Sequence, residues 1–358
     1  MSITTFGVND TLAVKAWSKM LAVEALKATE IRPLMGEGKS SIITIKTELK
    51  KGAGDKVTHG LRMQMTGDGV TENEVLEGNE ESLTLYDDAL YINELMHAAR
   101  VKNSGHAIDD QRVLFNCRME ARDGLKDWFA KRYSVTFFNQ VCGYVPQTST
   151  KYTGLNSVIA PSTNRHLIAE VGSTTDEDLD SNDTFNLTWI DYAKEKAITA
   201  SPQLRPIKVG GVDKYVLYLH PYQVTDMRTN TSTGQWLDIE KAAMNGGKVS
   251  KNAIYTGAIG EYNGVILRWS HDVPTGANST TDADISTVRR AVFLGAQAAC
   301  HAVGKDNGPT SYKWVEETFD YKRELGVSVQ AIFGQKKSVF NSEDFGSIVL
   351  STYAAAHV

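Results

Sequence analysis

A helical pattern between residues 109 and 140 constrains the fold of this chain more than any other feature. Apolar or small residues recur there at spacings of three and four positions, which predicts one long helix with a single buried stripe. Asp109 and Asp110 can cap its start, and Gly143 can end it. At 1.5 Å per residue the helix would be roughly 45 Å long, so we expect other segments to pack along it. The predicted stripe consists of Leu114, Cys117, Ala121, Leu125 and Trp128.

The segment before this helix alternates in the way that strands do. Three runs of alternating apolar and polar residues lie between residues 41 and 101, and they predict three strands. In the first run, Ile43 and Ile45 alternate with polar residues. The second run places Val57, His59, Leu61, Met63 and Met65 on one face, and Leu83 and Leu85 begin the third, which ends near Ile92.

A long acidic loop separates the second and third runs. It contains Asp68, Glu72, Glu74, Glu77, Glu80 and Glu81, with no Lys or Arg between Gly67 and Ser82. Loops of this length in a compact domain are usually functional or wrapped around a partner. Like charges this close repel one another, so basic groups on a partner would stabilise the arrangement. The alternative is a merely solvated loop.

The rest of the chain predicts a mixture of helices and strands. We expect helices at about 10–28, at 184–200 and at PYQVTDMR, and a short buried strand at KYVLYLHP. We expect a strand and turn in the core of a second domain at AVFLGAQAACHAVG. The strongest strand pattern is KRELGVSVQAIFGQKKSV, with a last strand at GSIVLST. The fold class is therefore α+β.

Composition narrows the range of functions. The 358 residues carry a formal net charge of -5 and show no basic stripe, which argues against tight binding of nucleic acid. The three cysteines, Cys117, Cys142 and Cys300, have no metal-ligand spacing and are expected to be free thiols. No apolar run approaches the ~18 residues of a membrane span, and the first ten residues do not resemble a signal peptide.

The sequence offers little for catalysis. It has neither a G-x-S-x-G elbow nor a P-loop. Glu94 and His97 have the spacing of half a di-iron site, but no second copy exists and the segment has a strand pattern. The acidic run from Asp176 to Asp183 lacks the Gly and Glu that a calcium loop requires, so we interpret it as a solvated loop. We predict no catalytic residues, cofactor or metal.

Several long segments resemble the major capsid proteins of tailed phages, in particular those of the N-four-like group. They include FGVNDTLAVKAWSKMLAVEALKAT, KKGAGDKVTHGLRMQMTGDGV, LEGNEESLTLYDDALYINELMHAARV, DQRVLFNCRMEARDGLKDWFAKR, FFNQVCG, IYTGAIGEYNGVIL and ETFDYKRELGVSVQAIFGQKKSVFNSEDFGSIVLST. The resemblance covers nearly the whole chain, apart from stretches near 144–183 and 272–286.

This resemblance implies the Hong Kong-type capsid fold. Its parts would be an N-terminal arm (1–40), an extended hairpin loop (41–100), a peripheral domain (101–204 and 311–358) with a spine helix at about 108–140, and an axial domain (205–310). Residues of the extended loop expected to contact other subunits are Leu61, Arg62, Met63, Asp68, Glu72, Glu77, Glu80, Leu83 and Leu85.

The resemblance also implies function and partners. The chain would assemble with its own copies into hexamers and pentamers of an icosahedral shell around double-stranded DNA, without sequence-specific binding of that DNA. Some members of the wider fold carry an N-terminal scaffold domain, and the early start of the arm in this sequence predicts a separate scaffolding protein instead. A portal is a further expected partner, a decoration protein is a candidate, and assembly would occur in the host cytoplasm. The rival hypotheses are a decoration or other virion structural protein and an unrecognised hydrolase.

Overall fold

The computed structural model describes residues 31–50, 53–101, 117–170, 172–232, 235, 260–305 and 313–357. Its helices are α1 (Cys117–Val141), α2 (Thr150–Thr153), α3 (Leu187–Thr199) and α4 (Pro221–Thr229). Short 3-10 helices lie at Arg32–Leu34, Glu48–Lys50, Thr163–Arg165 and Asp176–Asp178. The strands are β1 (Met35–Gly36), β2 (Ile43–Lys46), β3 (Lys56–Arg62), β4 (Leu85–Tyr91), β5 (Asn93–Val101), β6 (His166–Ile168), β7 (Ile207–Val209), β8 (Val212–Leu219), β9 (Gly260–Tyr262), β10 (Val265–Trp269), β11 (Thr275–Ala277), β12 (Asp284–Leu294), β13 (Ala299–Val303), β14 (Lys313–Phe319), β15 (Glu324–Lys337), β16 (Val339–Phe340), β17 (Glu343–Asp344) and β18 (Ser347–Tyr353).

Two large mixed sheets organise the described part of the chain. One has six strands in the order β1-β2-β13-β15-β14, with β5 paired to β15. The other has eight strands in the order β6-β18-β12-β8-β10-β9, with β11 paired to β12 and β7 to β8. Strands β3 and β4 form a separate antiparallel hairpin, and β16 pairs with β17.

Helix α1 packs on the six-stranded sheet. Leu125, Phe129, Tyr133 and Phe137 recur at helical spacing and are buried in one core with β15. At 25 residues the described helix is about 37 Å long. It ends in a Schellman motif, in which Gly143 has a φ of +63° and its N–H donates to the carbonyl of Gln140, while the next N–H donates to the carbonyl at 139.

The eight-stranded sheet is buried on both faces along β8. Tyr215 and Leu217 pack in a core with the buried side of α3, while Val216 and Tyr218 belong to the core of α1. The Tyr218 ring lies 5.2 Å from that of Phe138 in α1, measured between centroids. This two-sided burial accounts for the continuous apolar run KYVLYLHP.

The loop between β3 and β4 has no regular structure and lies in solvent. Its side chains from 63 to 84 are exposed, except that Met63 and Val70 are half-buried. Strands β2 and β5, which flank the hairpin in the chain, pair within the six-stranded sheet. Among the described strands of residues 41–100, β3 and β4 are therefore the two that pair with neither large sheet.

Many predicted elements are present. Helices α3 and α4, strand β8, the alternation along β15 and the end of α1 are confirmed. Cys142 and Cys300 are buried free thiols, as predicted. The predicted arm helix at 10–28, the start of the spine helix with Leu114, the side chain of Cys117 and the stretch 236–259 lie outside the described residues.

Two interpretations were wrong. The segment AVFLGAQAACHAVG is not one strand and turn in one core, because the end of β12 pairs in the eight-stranded sheet and β13 pairs in the six-stranded sheet. The acidic run is not simply solvated, because Asp176 is 2% exposed and contacts Arg290. In both cases the decisive partner is far away in the sequence.

Candidate assembly surface

The β3–β4 hairpin has an inner face and an outer face. The register pairs Val57 with Leu90 and Leu61 with Tyr86 on the inner face. Val57 and Leu90 are buried in a small core with Cys300 of β13, whereas burial declines toward the loop. The predicted face of β3 is therefore confirmed at Val57, His59 and Leu61, and only its root packs on this subunit's own sheet.

A charge pair anchors the root of the hairpin to β15. Lys336 contacts the carboxylate of Asp88 and donates to the carbonyl of Ala89 at 3.0 Å. Asp88 is 8% exposed and also accepts from the N–H of Val339 at 3.2 Å. Burial lowers the pKa of the neighbouring His59, and nearby Lys46 and Lys336 lower it further although Asp88 opposes them. Burial and the two lysines thus favour the neutral form of the ring.

Asn156 fixes the point at which the chain leaves the hairpin. Its side-chain amide accepts from the N–H of Tyr91 at 2.9 Å and donates to the carbonyl of Tyr91 at 2.7 Å. Gln140 of α1 in turn donates to the carbonyl of Asn156 at 2.7 Å. A Cβ atom at Gly334 would lie 2.1 Å from the carbonyl oxygen of Tyr91, so β15 needs glycine there. These contacts give the hairpin a rigid base.

Local hydrogen bonds shape the acidic loop. Glu81 accepts from the N–H groups of Thr66 and Gly67 at 2.9 and 2.7 Å, and these bonds lower the pKa of its carboxyl. Glu74 accepts from the N–H of Thr71 at 2.9 Å, and Glu80 accepts from that of residue 78 at 2.7 Å. Half of the acidic side chains therefore order the loop itself, a role that the charge pattern did not predict.

Most of the remaining predicted contact residues are exposed around the loop, whereas Leu61 and Met63 are half-buried. Asp68, Glu72 and Glu77 lie in solvent, as does Arg62. Large apolar side chains accompany them: Met65, Val75, Leu76, Leu83 and Leu85 are between 53% and 66% exposed. Single exposed apolar residues are ordinary, but several on one exposed loop make that loop a candidate interaction surface. We call these five residues the apolar rim.

The predicted spine residues have a different role. Leu125 is buried, and Trp128 is half-buried with its ring stacked on that of His97 at 4.4 Å between centroids. Ala121 is half-buried. The stripe thus holds α1 against its own sheet, and the described part of it contributes to folding rather than to a surface.

A buried polar cluster joins the end of α1 to the eight-stranded sheet. Asp176 accepts from Nε of Arg290 at 2.7 Å, and Arg290 also donates to the carbonyl of Gly143 at 2.6 Å. Burial alone would raise the pKa of the Asp176 carboxyl, but the hydrogen bond from His166 and the charge of Arg290 hold the pKa well below its usual range. The cluster is a structural tie between distant segments.

Two histidines near acids and nucleophiles invite comparison with catalytic triads. Ser351 Oγ and an Asp176 oxygen both approach Nε2 of His166, at 2.8 and 3.3 Å. Cys300 Sγ and an Asp88 oxygen both approach Nε2 of His59, at 3.6 and 4.0 Å. A catalytic triad places its acid on the opposite ring nitrogen. Burial also raises the pKa of the Cys300 thiol, which disfavours the nucleophilic thiolate.

Within the described ranges, no three His, Cys, Asp or Glu side chains are grouped so that they could hold a metal ion. None of the helices that the structure describes combines the length and apolar content needed to cross a membrane.

Comparison with known proteins identifies the family. The profile of the family described as phage capsid protein matches residues 5–356. The chain belongs to the phage capsid protein family. This capsid protein is 29% identical to the major capsid protein of Pseudomonas phage KPP25 over 374 aligned positions, which cover 95% of this chain and 94% of that one.

Solved capsid structures share the fold of this capsid protein. The capsid of Ralstonia phage GP4 is 29% identical and superposes with a TM-score of 0.75 over 100% of both chains. The capsid of cyanophage Pam1 is 19% identical, with a TM-score of 0.73 over 92% of this chain and 93% of that one. The predicted α+β fold of tailed-phage capsids is thereby confirmed. The protein is a structural component of a phage virion, in which capsid proteins assemble as multiple copies.

Proposed function

We propose that this protein is the major capsid protein of a tailed phage and that it closes an icosahedral shell by forming hexamers and pentamers. The observation that carries the proposal is the exposed hairpin loop on a rigid base, within a chain that belongs to the capsid family throughout its length. A closed shell needs contacts around five-fold and six-fold rings, so one surface has to serve in slightly different settings. A projecting hairpin suits that requirement, because its loop can adjust while its root stays fixed.

The apolar rim would supply most of the binding energy. Fully burying one Leu or Met side chain contributes ~1.5–3 kcal/mol. An exposed ion pair contributes only ~0.2–1 kcal/mol. Burial of Leu83 and Leu85 against a neighbouring copy would therefore decide affinity, while Asp68, Glu72 and Glu77 would set register and orientation by pairing with its basic groups.

The domain layout implied by the family also forms part of the proposal. The arm (1–40), extended loop (41–100), peripheral domain (101–204 and 311–358) and axial domain (205–310) would occupy their usual places in a capsomer. The pairing of β18 with β12 means that strands assigned to the peripheral and axial domains share one sheet. We expect these two domains to move as one body at that sheet.

We further propose that assembly occurs in the host cytoplasm, with a separate scaffolding protein and a portal, and that the shell encloses double-stranded DNA without reading its sequence. The formal net charge of -5 supports enclosure rather than tight binding. The histidine clusters at His166 and His59 lack the geometry of a triad, so we propose a structural role without catalysis.

Replacement of Leu83 and Leu85 by serine tests the proposed interface. We expect the double variant to melt close to the temperature of the wild-type subunit, because both side chains are more than half exposed. Shells sedimented from cells that express the full chain should fall in yield by roughly tenfold or more. Ile198→Ser, at a 49% exposed position on α3, serves as the matched control. If the double variant forms shells at the wild-type yield, Leu83 and Leu85 are not part of the interface.

A further inference from the structure

The turn between β14 and β15 carries the most exposed large hydrophobic side chain among the described residues. Tyr321 is 99% exposed at the tip of this hairpin, so no described residue packs on its ring. The strands below it pair without interruption, from Lys313 with Gln330 to Phe319 with Glu324. An aromatic ring held fully in water adds nothing to the stability of its own subunit.

The base of this hairpin is rigid. Trp314 and Val327 are at most 1% exposed, which fixes β14 and β15 in the core of α1. Nearer the tip, the guanidinium of Arg100 lies 4.2 Å from the centre of the Phe319 ring and forms an ion pair with Glu324 at 2.6 Å. The turn is therefore presented on a fixed support.

The turn also retains side chains in a backbone conformation that disfavours them. Asp320, Tyr321 and Lys322 have φ angles of +48°, +49° and +68° in succession. Residues other than Gly seldom adopt this left-handed region, because Cβ approaches the backbone. In the β7–β8 turn of the same protein, the residues with positive φ angles are glycines, Gly210 at +61° and Gly211 at +84°. Strain that persists where glycine would relieve it is characteristic of functional positions.

We infer that Tyr321 is an anchor that buries its ring against a second copy of this chain in the assembled shell. The inference rests on the proposed function, since it requires that copies abut. Tyrosine suits such a contact, because it offers a large apolar surface with few rotatable bonds. Its hydroxyl can form a hydrogen bond with water at the edge of the interface. A surface for DNA phosphates is less well matched, because Arg323 and Arg100 are paired with Asp320 and Glu324 of the same hairpin.

Photocrosslinking identifies the partner directly. The full chain is expressed with p-benzoylphenylalanine at position 321, and intact shells and dissociated subunits are irradiated in parallel. We expect covalent dimers of this chain from the shells and none from the subunits. Cross-links mainly to DNA or to another protein, or no cross-link in intact shells, would overturn the inference.

Substitutions measure what the ring contributes. Tyr321→Ala should leave the melting temperature of the subunit unchanged and lower the shell yield by roughly tenfold, while Tyr321→Phe should retain most of the yield. If wild type forms shells and Tyr321→Ala forms as many, this inference fails and the proposed function stands. If wild type with its head-assembly partners forms no closed shells, both fail.

Discussion

At the scale of single residues, Asp176 determines how the end of α1 is tied to the eight-stranded sheet. Asp176→Asn would leave the buried guanidinium of Arg290 without a counter-charge, and breaking one side of a buried pair costs about 3–5 kcal/mol. We expect a loss of this size in the free energy of unfolding, measured by urea denaturation of the unassembled subunit. Asp178→Asn is the matched control, because that carboxylate is exposed and an amide oxygen can still accept from Ser173 and Thr175, so the loss should stay below about 1 kcal/mol.

The same carboxylate makes stability depend on acidity. Because the pKa of Asp176 is lower in the folded protein than in the unfolded chain, its contribution is present above the usual Asp value of about 4 and is lost as the pH falls toward the folded value. The difference in free energy of unfolding between wild type and Asp176→Asn, the stability gap, should therefore become smaller below about pH 4. Urea denaturation of both proteins between pH 3 and 7 measures that gap, and a constant gap would show that Asp176 is not the responsible group.

At the scale of elements, helix α1 contains a position where one substitution should increase the stability of the subunit. Gly124 lies inside the helix, and a Cβ atom there would meet nothing within 4 Å. Gly124→Ala should raise the free energy of unfolding by about 0.5–1 kcal/mol, because alanine loses less backbone entropy in a helix. Gly334→Ala should lower it, because its Cβ would collide with Tyr91. Thermal melting of the two variants compares them, and a stabilised Gly334→Ala would contradict the tight packing at the root of the hairpin.

The acidic loop yields a prediction for assembly rather than for folding. Asp68→Lys combined with Glu77→Lys should leave subunit melting nearly unchanged, because both side chains lie in solvent, while shell yield falls. High salt should weaken wild-type assembly in the same direction, since exposed charges are screened over about 10 Å at 0.1 M. Glu81 is left intact, because it holds the loop through two backbone N–H groups. If the double variant gives the wild-type yield of shells at low salt, these two carboxylates are solvated charges that do not contribute to assembly.

Local patterns predicted the elements well and their partners poorly. The alternation along β15 and the glycine at the end of α1 are signals that act within a few residues, and both are confirmed. The link between Asp176 and Arg290 spans 114 positions, and the clamp of Asn156 on Tyr91 spans 65. No periodicity encodes such pairs. The loop was predicted from its charge. The hydrogen bonds that Glu74, Glu80 and Glu81 accept from backbone N–H groups depend on the conformation of the folded loop.

At the scale of the whole molecule, two sheets form a body and two hairpins present surfaces away from it. The β3–β4 hairpin is fixed at its root by Asp88 and Asn156 and carries its apolar rim into solvent. The β14–β15 hairpin presents Tyr321 on a buried base. Both arrangements expose apolar groups to water, which is energetically unfavourable for an isolated subunit. In the assembly that we propose, each exposed group would have a surface of another copy to bury against.

Electron cryomicroscopy of shells formed by the full chain tests the central claim most directly. The density should show rings of five and six copies in which the β3–β4 hairpin lies across a neighbouring copy, with Leu83 and Leu85 buried in the contact. Shells in which this hairpin folds back on its own subunit, or leaves both leucines in solvent, would contradict the account.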